Sequence, residues 1–294
     1  MGCDHNCGEC EHKHSCHDDG CGHDCESCGH KGTCSKQDLL LKPHDGTNIK
    51  KVIAVVSGKG GVGKSLVTSL LAVVMNRKGF KTGILDADIT GPSIPKAFGV
   101  KEQVMGEENT IFPVMSKAGI KMISVNLMLK SETDPVLWRG PVIAGMVGQF
   151  YKDVAWGDLD FLFVDMPPGT GDVPLTVFQS LPVAGTVIVT APQKLVSMIV
   201  EKAVKMAEMM NIPVLGLIEN MSYFECPHCR GRYDIFGKSN VDELAFRCDI
   251  GTTAKLPVDP RLAALCDNGR IEDFAGSWLD GLADELAAIV TEKE

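Results

Sequence analysis

Residues 50–79 read KKVIAVVSGKGGVGKSLVTSLLAVVMNRKG, and this stretch limits the fold more than any other. Its first eight residues are a short, β-branched apolar run, the pattern of a buried strand. Its last fifteen carry helical periodicity and stop at Gly79. Between them lies GKGGVGKS, with Gly58, Gly63, Lys64 and Ser65 at the spacing G-x4-G-K-S. Strand, glycine loop and helix together make the structural context of a phosphate-binding P-loop. The loop Gly58, Lys59, Gly60, Gly61, Val62 and Gly63 turns backbone N–H groups toward phosphate oxygens, and the helix N-terminus adds its positive dipole end. Lys64 is expected at the β/γ-phosphates of ATP, and the Ser65 hydroxyl at Mg²⁺.

More β–α units follow. The stretch 81–93 is a strand carrying Asp86 and Asp88 at its end. The stretch 160–172, DFLFVDMPPGTGD, is an apolar strand ending in Asp165. An acid at the C-terminal end of a buried parallel strand faces the ligand side of the sheet. Asp165 is thereby expected to support Mg²⁺ through water. A strand at 185–192, a helix over about 194–211 and a strand at 213–222 continue the alternation. The expectation is one doubly wound, mostly parallel α/β P-loop domain over residues 50–294.

The N-terminus is different in kind. Residues 2–16 recur as residues 20–34, and each copy has the spacing C-x3-C-x2-C-x5-C. The ligand candidates are Cys3, Cys7, Cys10 and Cys16, then Cys21, Cys25, Cys28 and Cys34. Between Gly2 and Asp38 there is no Val, Ile, Leu, Phe, Met, Trp or Tyr, so burial cannot offset the cost of ordering. Residues 1–38 therefore read as a metal-binding tail and 39–49 as a linker. Four thiolates complete either a zinc ion or a cubane cluster, and six tail histidines keep mixed ligation and looser metal capture open.

Cys226 and Cys229 form a further C-x2-C within ECPHCRGRY. Two thiolates do not complete a four-coordinate site. The other core cysteines, Cys248 and Cys266, fall in helical or interior patterns. A two-fold axis would turn two ligands into four, so a homodimer bridged by one cluster is expected here, with zinc as the competing metal.

Lys59 makes the loop unusual, since it is a second lysine placed early. KGGVGKS with this lysine resembles the deviant Walker A motif of the MinD/ParA/nitrogenase-iron-protein class. With DADITGPSIP, WRGP, VDMPPGTGD, ENMSYFECPHC and LPVDPRLA, the chain resembles the Mrp/ApbC family of iron–sulfur cluster carrier ATPases over roughly residues 50–294. The resemblance implies that Lys59 contacts phosphate across a dimer interface. It implies that Asp88 positions the attacking water, Asp165 supports Mg²⁺ and Asn220 reads the adenine edge. It also implies a 4Fe–4S cluster bridged by Cys226 and Cys229 of both subunits, and apo iron–sulfur proteins as recipients. The tail departs from family members with an N-terminal cluster: its fourth cysteine is close and its unit is doubled. The resemblance favours iron–sulfur over zinc there without fixing the number of sites.

Other function classes fit these features less well. A net charge of −9 with no basic stripe argues against a nucleic-acid partner. No run of eighteen apolar residues occurs, and the N-terminus lacks a signal-peptide pattern, so a cytoplasmic chain with no membrane partner is expected. A positioning ATPase of MinD or ParA type would carry a basic membrane-targeting helix, whereas the C-terminal stretch here is acidic. A nickel or zinc metallochaperone NTPase stays open because of the His-rich tail.

Overall fold

The computed structural model describes residues 40–88, 93–107, 110–128, 140–169, 171–193 and 196–291. The apolar run at the start of the P-loop unit is strand β1 (Asn48–Ser57), and the helical pattern after it is α1 (Lys64–Arg77). The chain continues through β2 (Thr82–Asp86), α2 (Ile94–Ala97), β3 (Met105–Glu107), β4 (Thr110–Phe112), β5 (Val114–Met115) and β6 (Lys121–Ser124). Next come α3 (Gly140–Lys152), β7 (Asp158–Asp165), α4 (Asp172–Ser180), β8 (Val183–Thr190), α5 (Val196–Met209) and β9 (Val214–Glu219). A short ribbon, β10 (Phe224–Glu225) and β11 (Arg232–Tyr233), precedes α6 (Val241–Arg247), β12 (Thr253–Lys255), α7 (Pro260–Asp267) and α8 (Asp280–Thr291).

Among the described residues the main sheet runs β12-β9-β8-β1-β7-β2-β6-β5, with all pairings parallel except β5 against β6. β1 is central, with β7 on one side and β8 on the other. This is the doubly wound, mostly parallel architecture that the β–α alternation predicts.

The physical reason for the continuous apolar run lies in the two covered faces. Along β1, Ile53 and Val55 join Leu70, Leu71, Met75 and Phe163 in the core under α1 and α8. Val52, Ala54 and Val56 face the other way, into a core with Phe150, Trp156, Leu162 and Val204 under α3 and α5. Alternate side chains of one strand thus enter two different cores, so no polar alternation is left. Helix α1 is buried almost all round from Val67 to Met75, which explains its weak amphipathicity.

Three features depart from the sequence expectation. β5 is an antiparallel edge strand, and β3–β4 is a separate antiparallel ribbon. β1 starts at Asn48, and Leu41, expected in a linker, donates its N–H to Ser180 O at 2.8 Å and packs against the second core. The short strands carry two or three residues each, too few for a period-2 pattern to register.

Candidate functional site

The C-terminal ends of β6, β2, β7 and β1 lie side by side. Ser124 is registered with Asp86, Asp86 with Asp165, and Asp165 with Val55. The P-loop leaves β1 directly above this edge. Gly61 and Gly63 have φ of +80° and +82°, where a side chain is strained. A Cβ on Gly58 would sit 1.8 Å from Cγ2 of Ile199, and one on Gly63 would sit 2.2 Å from Nδ2 of Asn220. Helix α5 and Asn220 therefore press on the loop closely enough to require glycine. Val62 is buried beneath it, whereas Gly60 and Gly61 are open.

Lys64 is 5% exposed and its ammonium lies 2.8 Å from Asp165 Oδ1 and 3.4 Å from Asp88 Oδ2. Ser65 Oγ donates to Asp165 Oδ2 at 2.5 Å. The structure thus brings Lys64, Ser65, Asp88 and Asp165 together. Two further residues join them. Thr68 Oγ1 donates to Asp165 Oδ1 at 2.7 Å, and Asp86 lies wholly buried on the neighbouring strand end. The one sequence signal for Thr68 is its position three residues after Ser65, on the same face of α1. Asp86 takes the Ser124 hydroxyl at 3.0 Å and the Asp88 N–H at 3.2 Å. Burial first, then the charge of Asp165, hold the Asp86 carboxyl well above the usual range, and Lys64 opposes them in part. The hydroxyl of Ser65 and the oxygens of Asp165 and Asp88 form an all-oxygen donor set, the kind a hard divalent cation takes.

Asn220 follows β9 and is buried. Its Nδ2 donates to Val62 O at 2.9 Å and its Oδ1 accepts from Met221 N at 2.9 Å. Its amide braces the underside of the P-loop, a contact that no sequence pattern signals. The side chain of Lys59 lies on the solvent side of the loop and donates to Oε1 of Gln193, just beyond β8.

The Cys226/Cys229 pair lies at the tip of the β10–β11 ribbon. Pro227 donates no N–H, and Arg230 takes φ +56°, which turns the chain. Cys226 N donates to Gly231 O at 2.9 Å and Arg230 N to Cys226 O at 2.8 Å. Arg232 lies 4.5 Å above the Tyr223 ring and 3.5 Å from Glu225, steadying the ribbon. Both thiols are free. Hydrogen bonds from the backbone N–H groups of Cys229 and His228, and then from the Cys229 side chain, lower the Cys226 thiol below its usual range. Burial raises Cys248 and Cys266 instead, consistent with structural roles. Among the described residues no three His, Cys, Asp or Glu side chains gather as a metal site, so no third such side chain joins the pair. A cavity of about 620 Å³ opens beside it, lined in part by Tyr223, Phe224, Arg230, Pro257 and Trp278. The eight tail cysteines lie outside the described residues. No helix among the described residues is long and apolar enough to cross a membrane.

Residues 48–289 match the model of the ParA family described as NUBPL iron-transfer P-loop NTPase. A protein of Methanocaldococcus jannaschii named iron-sulfur cluster carrier protein is 44% identical over 269 residues, covering 91% of this chain and 89% of that one. One of the same name from Clostridium perfringens is 46% identical over 235 residues, covering 77% and 82%. Among solved structures, a nucleotide-binding protein in complex with ADP from Archaeoglobus fulgidus is 46% identical with a TM-score of 0.72, covering 79% of this chain and 91% of that one. The chain belongs to the ParA-type family of iron-transfer P-loop NTPases.

Proposed function

We propose that this protein is an ATP hydrolase that assembles and carries a 4Fe–4S cluster and hands it to apo iron–sulfur proteins. The observation that supports this most is the presence, in one domain, of a P-loop acid site and a pre-turned cysteine pair, with Cys229 exposed, Cys226 partly so, and the Cys226 thiol lowered. Its relatives named cluster carriers point the same way.

In this reading Gly58 to Ser65 cradle the phosphates of ATP, with Lys64 at the β/γ-phosphates. Ser65 and Asp165 hold Mg²⁺, which neutralises phosphate charge when bound. Asp88 orients the attacking water, and Asn220 reads the adenine edge while bracing Val62. Lys59 reaches the phosphates of a second copy. That homodimer sets two Cys226/Cys229 pairs about one axis and supplies four thiolates to one cluster. The tail, residues 1–38, is a separate metal-binding unit that takes iron–sulfur in preference to zinc.

The test is anaerobic reconstitution of the full chain with all eight tail cysteines changed to serine. We expect about one 4Fe–4S cluster per two chains, following the four-thiolate rule, and none after Cys226→Ser or Cys229→Ser. The loaded protein should activate an apo 4Fe–4S acceptor. A full cluster on each single chain, or zinc with no iron, would overturn the bridging assignment.

A further inference from the structure

We infer that Gln193 is a positioning residue that holds Lys59 within its own chain and so sets the threshold for ATP-driven pairing of two copies. The inference rests on the proposed reading of Lys59 as a ligand to phosphate across a dimer.

The geometry restrains the Lys59 backbone and leaves its side chain to move. Its backbone is fixed, because the hydroxyl of Ser57, itself buried, donates to Lys59 O at 3.0 Å. Only the four-carbon stem can swing, and its ammonium is seated on Oε1 of Gln193. The backbone of Gln193 is tied down as well, although the residue itself is exposed. Its N–H donates to Ala191 O at 2.8 Å, closing a tight turn straight after β8. Pro192, buried and with its φ fixed by its ring, stiffens that turn. The acceptor is thus carried by a turned backbone beside the loop, on a side chain that reaches Lys59.

An ammonium seated in its own chain is not at a partner's phosphate. Each pairing of two copies must first break the contact, so the contact opposes pairing by its own strength. A neutral amide on the surface is a weak holder, readily outcompeted by phosphate charge. A carboxylate at the same place would add ionic attraction to the hydrogen bond, and an alanine would hold nothing. The two substitutions must therefore act in opposite directions, which a merely structural side chain does not do.

The measurement is self-association of the full chain by sedimentation, with Mg²⁺ and a non-hydrolysable ATP analogue. Gln193→Ala is expected to lower the concentration at half-association by roughly threefold to fivefold. Gln193→Glu should raise it by roughly threefold or more, and added salt should relieve that increase. In a Lys59→Ala background the three residues at 193 should give the same value. Shifts of the same sign for both substitutions, or shifts that survive in Lys59→Ala, would overturn the inference and leave the dimer intact. A chain that stays single with the analogue, whatever residue stands at 193, would overturn the dimer reading itself.

Discussion

The hydroxyl of Thr68 lies 2.7 Å from Oδ1 of Asp165, the same oxygen that the Lys64 ammonium holds at 2.8 Å. With Ser65 on Oδ2, the wholly buried carboxylate is held by three side chains, all from the first turns of α1. Such saturation fixes the carboxylate's direction, as charge-assisted hydrogen bonds do.

Thr68→Val keeps the shape and removes the donor. A hydrogen bond to a charged group contributes about 1.5–3 kcal/mol, so the urea midpoint should fall accordingly. ATP turnover should drop about 10- to 100-fold, as when an outer-shell partner is lost. Thr68→Ser restores the hydroxyl and should recover most of both. Unchanged turnover in the valine variant would make Thr68 a packing residue only.

Lys64→Ala should abolish ATP turnover, and it should also destabilise the fold. The substitution leaves Asp165 buried without its cation, which costs about 3–5 kcal/mol. Adding Asp165→Asn removes the orphaned charge, so the double variant should regain thermal stability while staying inactive. Denaturation curves for the two singles and the double measure this coupling.

The spacing of Gly58, Gly63, Lys64 and Ser65, with a strand before and a helix after, makes the phosphate site legible in the sequence itself. Asp165 is legible because an acid ends an otherwise apolar strand. Thr68 is not, because a threonine inside a helix reads as ordinary; only the register of α1 over β7 gives it a carboxylate. The brace from Asn220 to Val62 O joins residues 158 positions apart, and the Lys59–Gln193 contact joins residues 134 apart. No local pattern encodes either, since both follow from β9 and β8 lying on the same side of β1 in the sheet. The cysteine pair reads as a loop in the sequence; the ribbon's two-residue strands are too short to leave a period.

Gly58→Ala tests the close approach of α5. The added methyl would sit 1.8 Å from Cγ2 of Ile199, on a β-branched side chain with little freedom to turn away. Overpacking of this kind costs about 1–3 kcal/mol, and nucleotide binding should weaken with it. Adding Ile199→Ala removes that closest contact, leaving Cβ and the carbonyl oxygen of residue 199 at 3.0 and 3.2 Å, and should restore binding in part. A Gly58→Ala protein with normal nucleotide affinity would contradict the geometry.

Asp86→Asn tests the buried neighbour of Asp165. A carboxyl whose folded pKa is raised favours folding while protonated. That contribution is complete below its unfolded value of about 3.9 and is lost as pH rises through the folded one. The asparagine can still accept from Asp88 N and donate to Ser124 Oγ. Thermal melts should therefore show the variant gaining on the native chain from about pH 4 upward, with near-equal stability at about pH 4. A gap that widens toward acid would mean that Asp86 is held as a carboxylate.

The four core thiols should separate by reactivity once metal has been removed anaerobically. Thiolate is the nucleophile, so alkylation at a given pH follows the fraction ionised and its access to reagent. Cys226 stands at the turn of an exposed ribbon, where the N–H groups of Cys229 and His228 stabilise its thiolate. Burial raises the thiols of Cys248 and Cys266, which are partly accessible as Cys226 is, so ionisation rather than access separates the three. Timed iodoacetamide labelling at about pH 7, followed by peptide mapping, should find Cys226 modified well before Cys248 and Cys266. The lead of Cys226 should shrink as pH rises past the ordinary thiol range of about 8.5, where its extra ionisation no longer matters. Early labelling at Cys248 or Cys266 would show that the ribbon's N–H groups do not favour the thiolate at Cys226.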